Sequence, residues 1–225
     1  MRENNKDIGT QEATPKPKKE YINGIPVRTL AVFYSSPSEW VENVEQFISN
    51  KENNGQQLKE PTFSVGVDML NGIKDSPPDT HRGKWEVLGL FAIRSIGGQK
   101  HTFRTNYLMV FARMAGHASA KGLDIRNILK TLGVAKPANA KNLATYYGGR
   151  YLKPWIMERY DKVHILSANG LRGIWVMQNE ELTREQALEE LALIAFGKTS
   201  KAKQAEIKDT TRRAIEKARA RKSFK

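Results

Sequence analysis

The sequence predicts an α+β protein, with mixed strands and a helix in its first part and a mainly helical second part carrying one β-hairpin. Three observations predict this. Short apolar runs bounded by Gly, Pro and Asn alternate with capped stretches in the first hundred residues. From Phe103 onward the apolar spacing is that of helices. Both ends are polar and basic, which predicts flexible tails around one core. The predicted organisation is an arm over residues 1–20, a globular nucleic-acid-binding core over 21–197, and a basic C-terminal tail over 198–225.

Taken in order, the arm mixes Asn, Thr, Gln, Pro and Lys, with too little apolar surface to offset the entropy of ordering it. Arg28 to Tyr34 is a short apolar run that predicts a strand. Ser36-Pro37-Ser38-Glu39 then opens a helix whose stripe is Trp40, Val41, Val44, Phe47 and Ile48. Lys51 to Pro61 is a polar loop, Phe63 to Leu70 a second strand and Asn71-Gly72 a turn. Asp75 to Asp79, with two prolines, is an exposed loop. Lys84 to Ile96 is dense in apolar residues and predicts a third strand, closed by a Gly97-Gly98 turn.

A helix follows from Phe103, with Tyr107, Val110, Phe111 and Met114 on one face; His117, at its end, is favoured there by the helix dipole. Asp124 caps a helix carrying Ile125, Ile128, Leu129 and Leu132, stopped by Gly133. Pro137 starts a third helix over 138–147, halted by Gly148-Gly149, with another turn or two after Pro154. Val163 to Leu166 and Gly173 to Met177 form a hairpin around Asn169-Gly170. Thr183 and Gln186 make a capping box for a helix that turns Leu188, Leu191, Ala192 and Ala195 inward. The tail can form a helix over 201–222, with Ile207 and Ile215 its large aliphatic residues.

Charge narrows the function. The net charge is +13, and residues 198–225 alone hold 11 basic and 3 acidic residues. A tail like this is drawn to polyanions by counterion release, largely without regard to sequence. There is no cysteine, which excludes disulfides and thiolate metal sites. No apolar run approaches the roughly 18 residues of a membrane span. Residues 1–20 lack the apolar stretch of a secretory signal. The chain is therefore expected in the cytoplasm, or within a virion if it is viral, with no membrane partner.

No phosphate-cradling G-x-x-x-x-G-K-[ST] loop, G-x-S-x-G elbow or H-E-x-x-H pair is present. His81, His101, His117 and His164 stand far apart, and Glu86, Asp124 and Glu158 are the only carboxylates between Trp85 and Tyr160. A non-enzymatic protein without a cofactor or metal is expected; turnover dependent on those three carboxylates would mark the alternative, an enzyme acting on nucleic acid.

From Arg94 to Arg172 cations are interleaved with Tyr107, Tyr146, Tyr147, Tyr151 and Trp155. Cations for phosphates and flat rings for bases suit single-stranded nucleic acid. The expected groove is lined by Arg94, Arg104, Arg126, Lys141, Arg150 and Lys153, with Tyr147 and Tyr151 stacking on bases. Lys100, Lys130 and Arg172 are further expected nucleic-acid contacts, as are Arg212 and Arg213 in a tail that would assist binding or assembly. Solvated cations and core aromatics are the plainer reading of any single member. Three short helices followed by a hairpin are also the order of a winged helix, in which Arg172 would sit on the wing.

Lys84-Trp85-Glu86-Val87, opening the run that ends in Gly97-Gly98, and Phe111-Ala112-Arg113 after it resemble the small nucleoproteins of segmented negative-strand RNA viruses, the peribunyavirus group in particular. The likeness spans about 30 of 225 residues. It implies a protein that coats single-stranded RNA in a basic cleft and links to its neighbours through terminal arms. RNA is thus favoured over DNA, with self-association through the arms; a winged-helix DNA-binding regulator or replication protein is the alternative.

Overall fold

The computed structural model describes residues 20–54, 60–167, 173–178, 182–196, 209 and 211–216. The protein is α+β, with two small antiparallel sheets set among nine named helices in those residues.

The first sheet is a ribbon of β1 (Tyr21–Pro26) and β2 (Thr62–Gly66), pairing Ile25 with Phe63 and irregular between Ile22 and Ile25. Between the strands lie a 3-10 turn (Val27–Thr29), α1 (Leu30–Phe33) and α2 (Pro37–Asn54). The strand expected over Arg28–Tyr34 is therefore helical. Thr29 Oγ1 donates to the Pro26 carbonyl at 2.8 Å, and Leu30 and Phe33, three apart, share one fully buried face. In α2 the predicted start holds, with Ser36 Oγ accepting from the Glu39 N–H at 3.3 Å. The helix runs on to Asn54 and takes up the first residues of the expected 51–61 loop.

The strand expected over Phe63–Leu70 stops at Gly66, where α3 (Val67–Asp75) begins and absorbs Asn71-Gly72. Helical spacing explains this, because Leu70 and Ile73 are both buried. The loop before the next element is as predicted. That element is α4 (His81–Gly97), and it corrects the third expected strand. Thr80 caps it, its side chain accepting from the Gly83 N–H at 3.0 Å. Residues 85–93 are all buried, so α4 is the central post of the main core. A helix apolar on every side shows no period. Gly97-Gly98 ends this helix and is no hairpin turn, with Gly98 at φ 56°.

β3 (Thr102–Thr105) takes Phe103, so the helix expected from Phe103, α5 (Tyr107–Met114), starts at the Asn106 cap instead. α6 (Ile125–Thr131) has the Asp124 cap and the Gly133 stop that the sequence predicts, Asp124 Oδ1 accepting from the Arg126 N–H at 2.9 Å. α7 (Leu143–Tyr147) starts five residues later than expected, at the Asn142 cap. Gly148-Gly149 does not halt it. The chain continues through a π-helical turn (Gly148–Leu152) into α8 (Lys153–Arg159). Gly148 serves close packing here, since a Cβ on it would overlap the Tyr107 ring.

β4 (Val163–Leu166) and β5 (Ile174–Gln178) form the predicted hairpin, and β3 joins it in the order β3-β5-β4. Both faces of the hairpin are covered, which is why its strands are buried at almost every position. Val163, Ile165, Ile174 and Val176 face the main core. Leu166, Trp175 and Met177 face a second, smaller core with α9 (Arg184–Phe196), which buries Leu188, Leu191 and Ala192 as predicted. The expected capping box forms: Gln186 Oε1 accepts from the Thr183 N–H at 2.8 Å, and Thr183 Oγ1 from the Gln186 N–H at 3.3 Å. Ala195 and Ile207 lie outside the residues whose side chains are described. In the tail, 211–216 is helical and lays Ala214 and Ile215 against this second core.

Candidate nucleic-acid interface

At the N-terminal end of α4 a cleft of about 420 Å³ is lined mainly by rings: Tyr34, His81, Trp85, Tyr147, Tyr151 and Trp155. Helical spacing assembles them. His81 and Trp85 are four apart on α4, and Tyr147, Tyr151 and Trp155 step by four from α7 through the π turn into α8. The rings touch in sequence. Tyr147 stacks on Tyr151 at 5.7 Å between centroids, Tyr151 meets Trp155 at 5.4 Å, and Trp155 meets Trp85 at 5.8 Å. His81 lies 4.7 Å from Trp85, with Tyr34 beyond it. Such π turns inside helices recur at functional sites.

Trp85 and Tyr147 form the buried floor, and their polar ends are satisfied: Trp85 Nε1 donates to the Leu132 carbonyl at 2.8 Å, and Tyr147 accepts from the Ala138 N–H at 2.9 Å. Tyr34, His81, Tyr151 and Trp155 are half-buried and can offer ring surface to a ligand. Burial, with the Lys84 charge adding to it, holds His81 below its usual pKa of 6.5, so its imidazole is neutral at pH 7. Its Nδ1 is 2.8 Å from the Tyr34 hydroxyl.

Cations stand around these rings. Lys84 Nζ lies 5.1 Å from the Tyr34 centroid, and Arg150 Cζ 5.7 Å from those of both Tyr146 and Tyr151. Lys136 also lines the cleft. None of these three meets a carboxylate among the described residues. Arg82, 6.0 Å from the Trp155 centroid, is different, because it pairs with Glu86 at 2.7 Å and Glu158 at 2.9 Å.

Of the residues expected in one groove, the structure brings Tyr147, Arg150 and Tyr151 together here. The others lie elsewhere. Lys153 is half-buried, and burial, with the Arg184 charge on α9 adding to it, lowers its pKa. Arg126, Lys130 and Lys141 are exposed on α6 and the loop before α7, and Arg104 is exposed on β3 opposite Trp175. Arg94 and Lys100 line a different cleft. Arg212 and Arg213 pair with Asp209 at 3.1 and 2.8 Å. Arg172 lies outside the described residues. The six-cation groove is thus divided over several surfaces.

Sequence reasoning left Tyr34, His81, Trp85 and Lys84 out of the site, because reading 28–34 and 84–96 as strands separated them. The four-residue step of Tyr147, Tyr151 and Trp155, and of His81 and Trp85, was the available signal. The carboxylates proposed for catalysis hold structural contacts: Glu86 takes Arg82 and Arg159, Glu158 takes Arg82, and Asp124 caps α6. Among the described residues no group of three His, Asp or Glu is placed to hold a metal, and no helix is long and apolar enough to cross a membrane. No family model, curated protein or solved structure matches this chain.

Proposed function

We propose that the protein binds single-stranded nucleic acid, RNA in preference to DNA, by seating an unstacked base among the rings of this cleft. The observation that carries the reading is the pairing of six rings with a rim of cations that meet no carboxylate among the described residues. Rings alone would suit a quaternary ammonium equally well. The rim decides against it, because Lys84, Lys136 and Arg150 repel a cation and attract phosphates. Stacking on Tyr151 and Trp155 is indifferent to base identity, so binding is sequence-tolerant, as a coating protein requires. Catalysis has no part in this reading, and the terminal arms would add self-association.

The test is quenching of tryptophan fluorescence by a single-stranded oligonucleotide, because Trp85 and Trp155 both border the cleft. Quenching should saturate and weaken with salt. Trp155→Ala and Tyr151→Ala should each lower affinity, by about 1–3 kcal/mol for a lost stacking contact. Equal affinity in these folded variants would sink the reading.

One observation favours a second reading, a winged-helix protein that binds duplex DNA. The hairpin β4–β5 follows the helices and carries β3 on its open side. The π turn and α8 stand between α7 and that hairpin, which the plain winged-helix order lacks. Tighter binding to a duplex than to either of its strands would favour this reading.

A further inference from the structure

The C-terminal end of α4 borders a second cleft, of about 650 Å³, between the β1–β2 ribbon and the loop before β3. Its chemistry is unlike that of the ring cleft. Asn23, Ser64, Arg94, Gln99, Lys100 and His101 are in its wall, and no carboxylate is among the described lining residues. Arg94 is the unusual member. It is half-buried, and its guanidinium has no hydrogen bond or ion pair among the described residues. The groups acting on it are the phenols of Tyr21 and Tyr160, and burial keeps Tyr160 protonated up to about 12.

An arginine does not shed its charge at neutral pH, so taking it partly out of water without an acid is costly. Two other arginines on or beside α4 avoid that cost, since Arg82 and Arg159 both close on Glu86. Arg94 has no such carboxylate among the described residues, yet it opens into a cleft that also holds an ammonium, amides and a hydroxyl. The planar fork of a guanidinium matches two oxygens of one anion, and a phosphate has further oxygens for the remaining donors.

We propose that this cleft is a separate binding site for a phosphate group, gripped by Arg94 and Lys100 and bordered by Asn23, Ser64 and Gln99. It is independent of the ring cleft. Trp85 and Arg94 are nine residues apart on α4, which places them on opposite sides of the helix and about 13 Å apart along its axis. The phosphate can come from a nucleic-acid strand or from a small phosphorylated molecule.

The test is thermal unfolding of the full chain in inorganic pyrophosphate, against sodium chloride at equal ionic strength. Wild type should show a saturable rise in Tm that chloride does not give. Arg94→Met should lose that rise while keeping or exceeding the wild-type Tm without ligand, because an uncompensated charge has been removed. An arginine with a purely structural role would instead lower it. Lys100→Gln, at an exposed position, should shift the pyrophosphate midpoint several-fold upward and serves if the first variant does not fold. Trp155→Ala should keep the full rise, so failure of the ring-cleft reading leaves this one standing. If pyrophosphate competes with a single-stranded oligonucleotide and Arg94→Met weakens both, the phosphate belongs to the strand. If oligonucleotide binding ignores the substitution, the ligand is a small phosphorylated molecule. No rise in wild type beyond chloride, or an equal rise in Arg94→Met, overturns the proposal.

Discussion

His81 shows how one side chain is tuned by what surrounds it. It lies between Tyr34 and Trp85, 2.8 Å from a phenol oxygen, and the charge of Lys84 acts on it. Desolvation and that charge both disfavour imidazolium, so its pKa in the fold lies below 6.5. The unfolded chain then binds the proton more readily than the native one. His81 therefore contributes its full stabilisation above pH 6.5 and loses it as pH falls through the lowered native value. The Tm of wild type should fall between pH 7.5 and pH 5 by more than that of His81→Gln. The carboxylates, common to both proteins, cancel in the difference. Identical slopes would mean that His81 is protonated as easily in the fold as outside it. Glu86 is held by ion pairs instead. Its carboxylate, 7% exposed, accepts from Arg82 Nε at 2.7 Å and Arg159 Nη1 at 2.9 Å, tying α4 to α8 and so Trp85 to Trp155.

At the scale of elements, α4 and the α7–π–α8 segment set the ring cleft, and one glycine in each sets how closely it packs on its neighbours. A Cβ on Gly89 would press into Leu152 and Ile156 of the facing segment, and one on Gly148 into the Tyr107 ring. Gly89 lies inside α4, so alanine there would raise intrinsic helix propensity. Close packing outweighs that gain. Gly89→Ala should destabilise by about 1–3 kcal/mol in urea unfolding, the usual cost of overfilling a packed core. A stabilising result would show that α8 can move away from α4 at little cost. What the sequence made legible follows from the same contrast. Asp124, Ser36 and the Thr183–Gln186 pair announced their helices because capping is local chemistry. The hairpin was legible from its two apolar runs around a turn. α4 was not, because a helix buried on all sides carries no polar face to mark its period. Its length between Thr80 and Gly97, too great for an ordinary strand, and its threonine cap were the signs that counted. The candidate site was legible in part: the sequence named Tyr147, Arg150 and Tyr151, which the fold brings to one cleft, whereas Tyr34, His81 and Trp85 join them only through the tertiary fold.

Over the whole molecule, the excess charge and the ring cleft are separate devices. Most of the +13 lies in residues 198–225, far along the chain from His81 and Trp85. The described part of that tail is not simply solvated. Ala214 and Ile215 pack on the second core, and Arg212 and Arg213 are engaged with Asp209. Residues 217–225 follow in the sequence, with five lysines and arginines and no acid. Such a segment can raise affinity for any polyanion without selecting a base. Removing 217–225 should therefore leave unfolding and the quenching of Trp85 and Trp155 at saturation unchanged. It should flatten the dependence of affinity on salt, by about 0.7 in the log–log slope for each tail cation that rests on a single-strand phosphate. The two devices are then told apart by two measurements on one pair of proteins. A lower saturating signal would place the tail in the ring cleft itself, and an unchanged slope would assign those cations to something other than the strand.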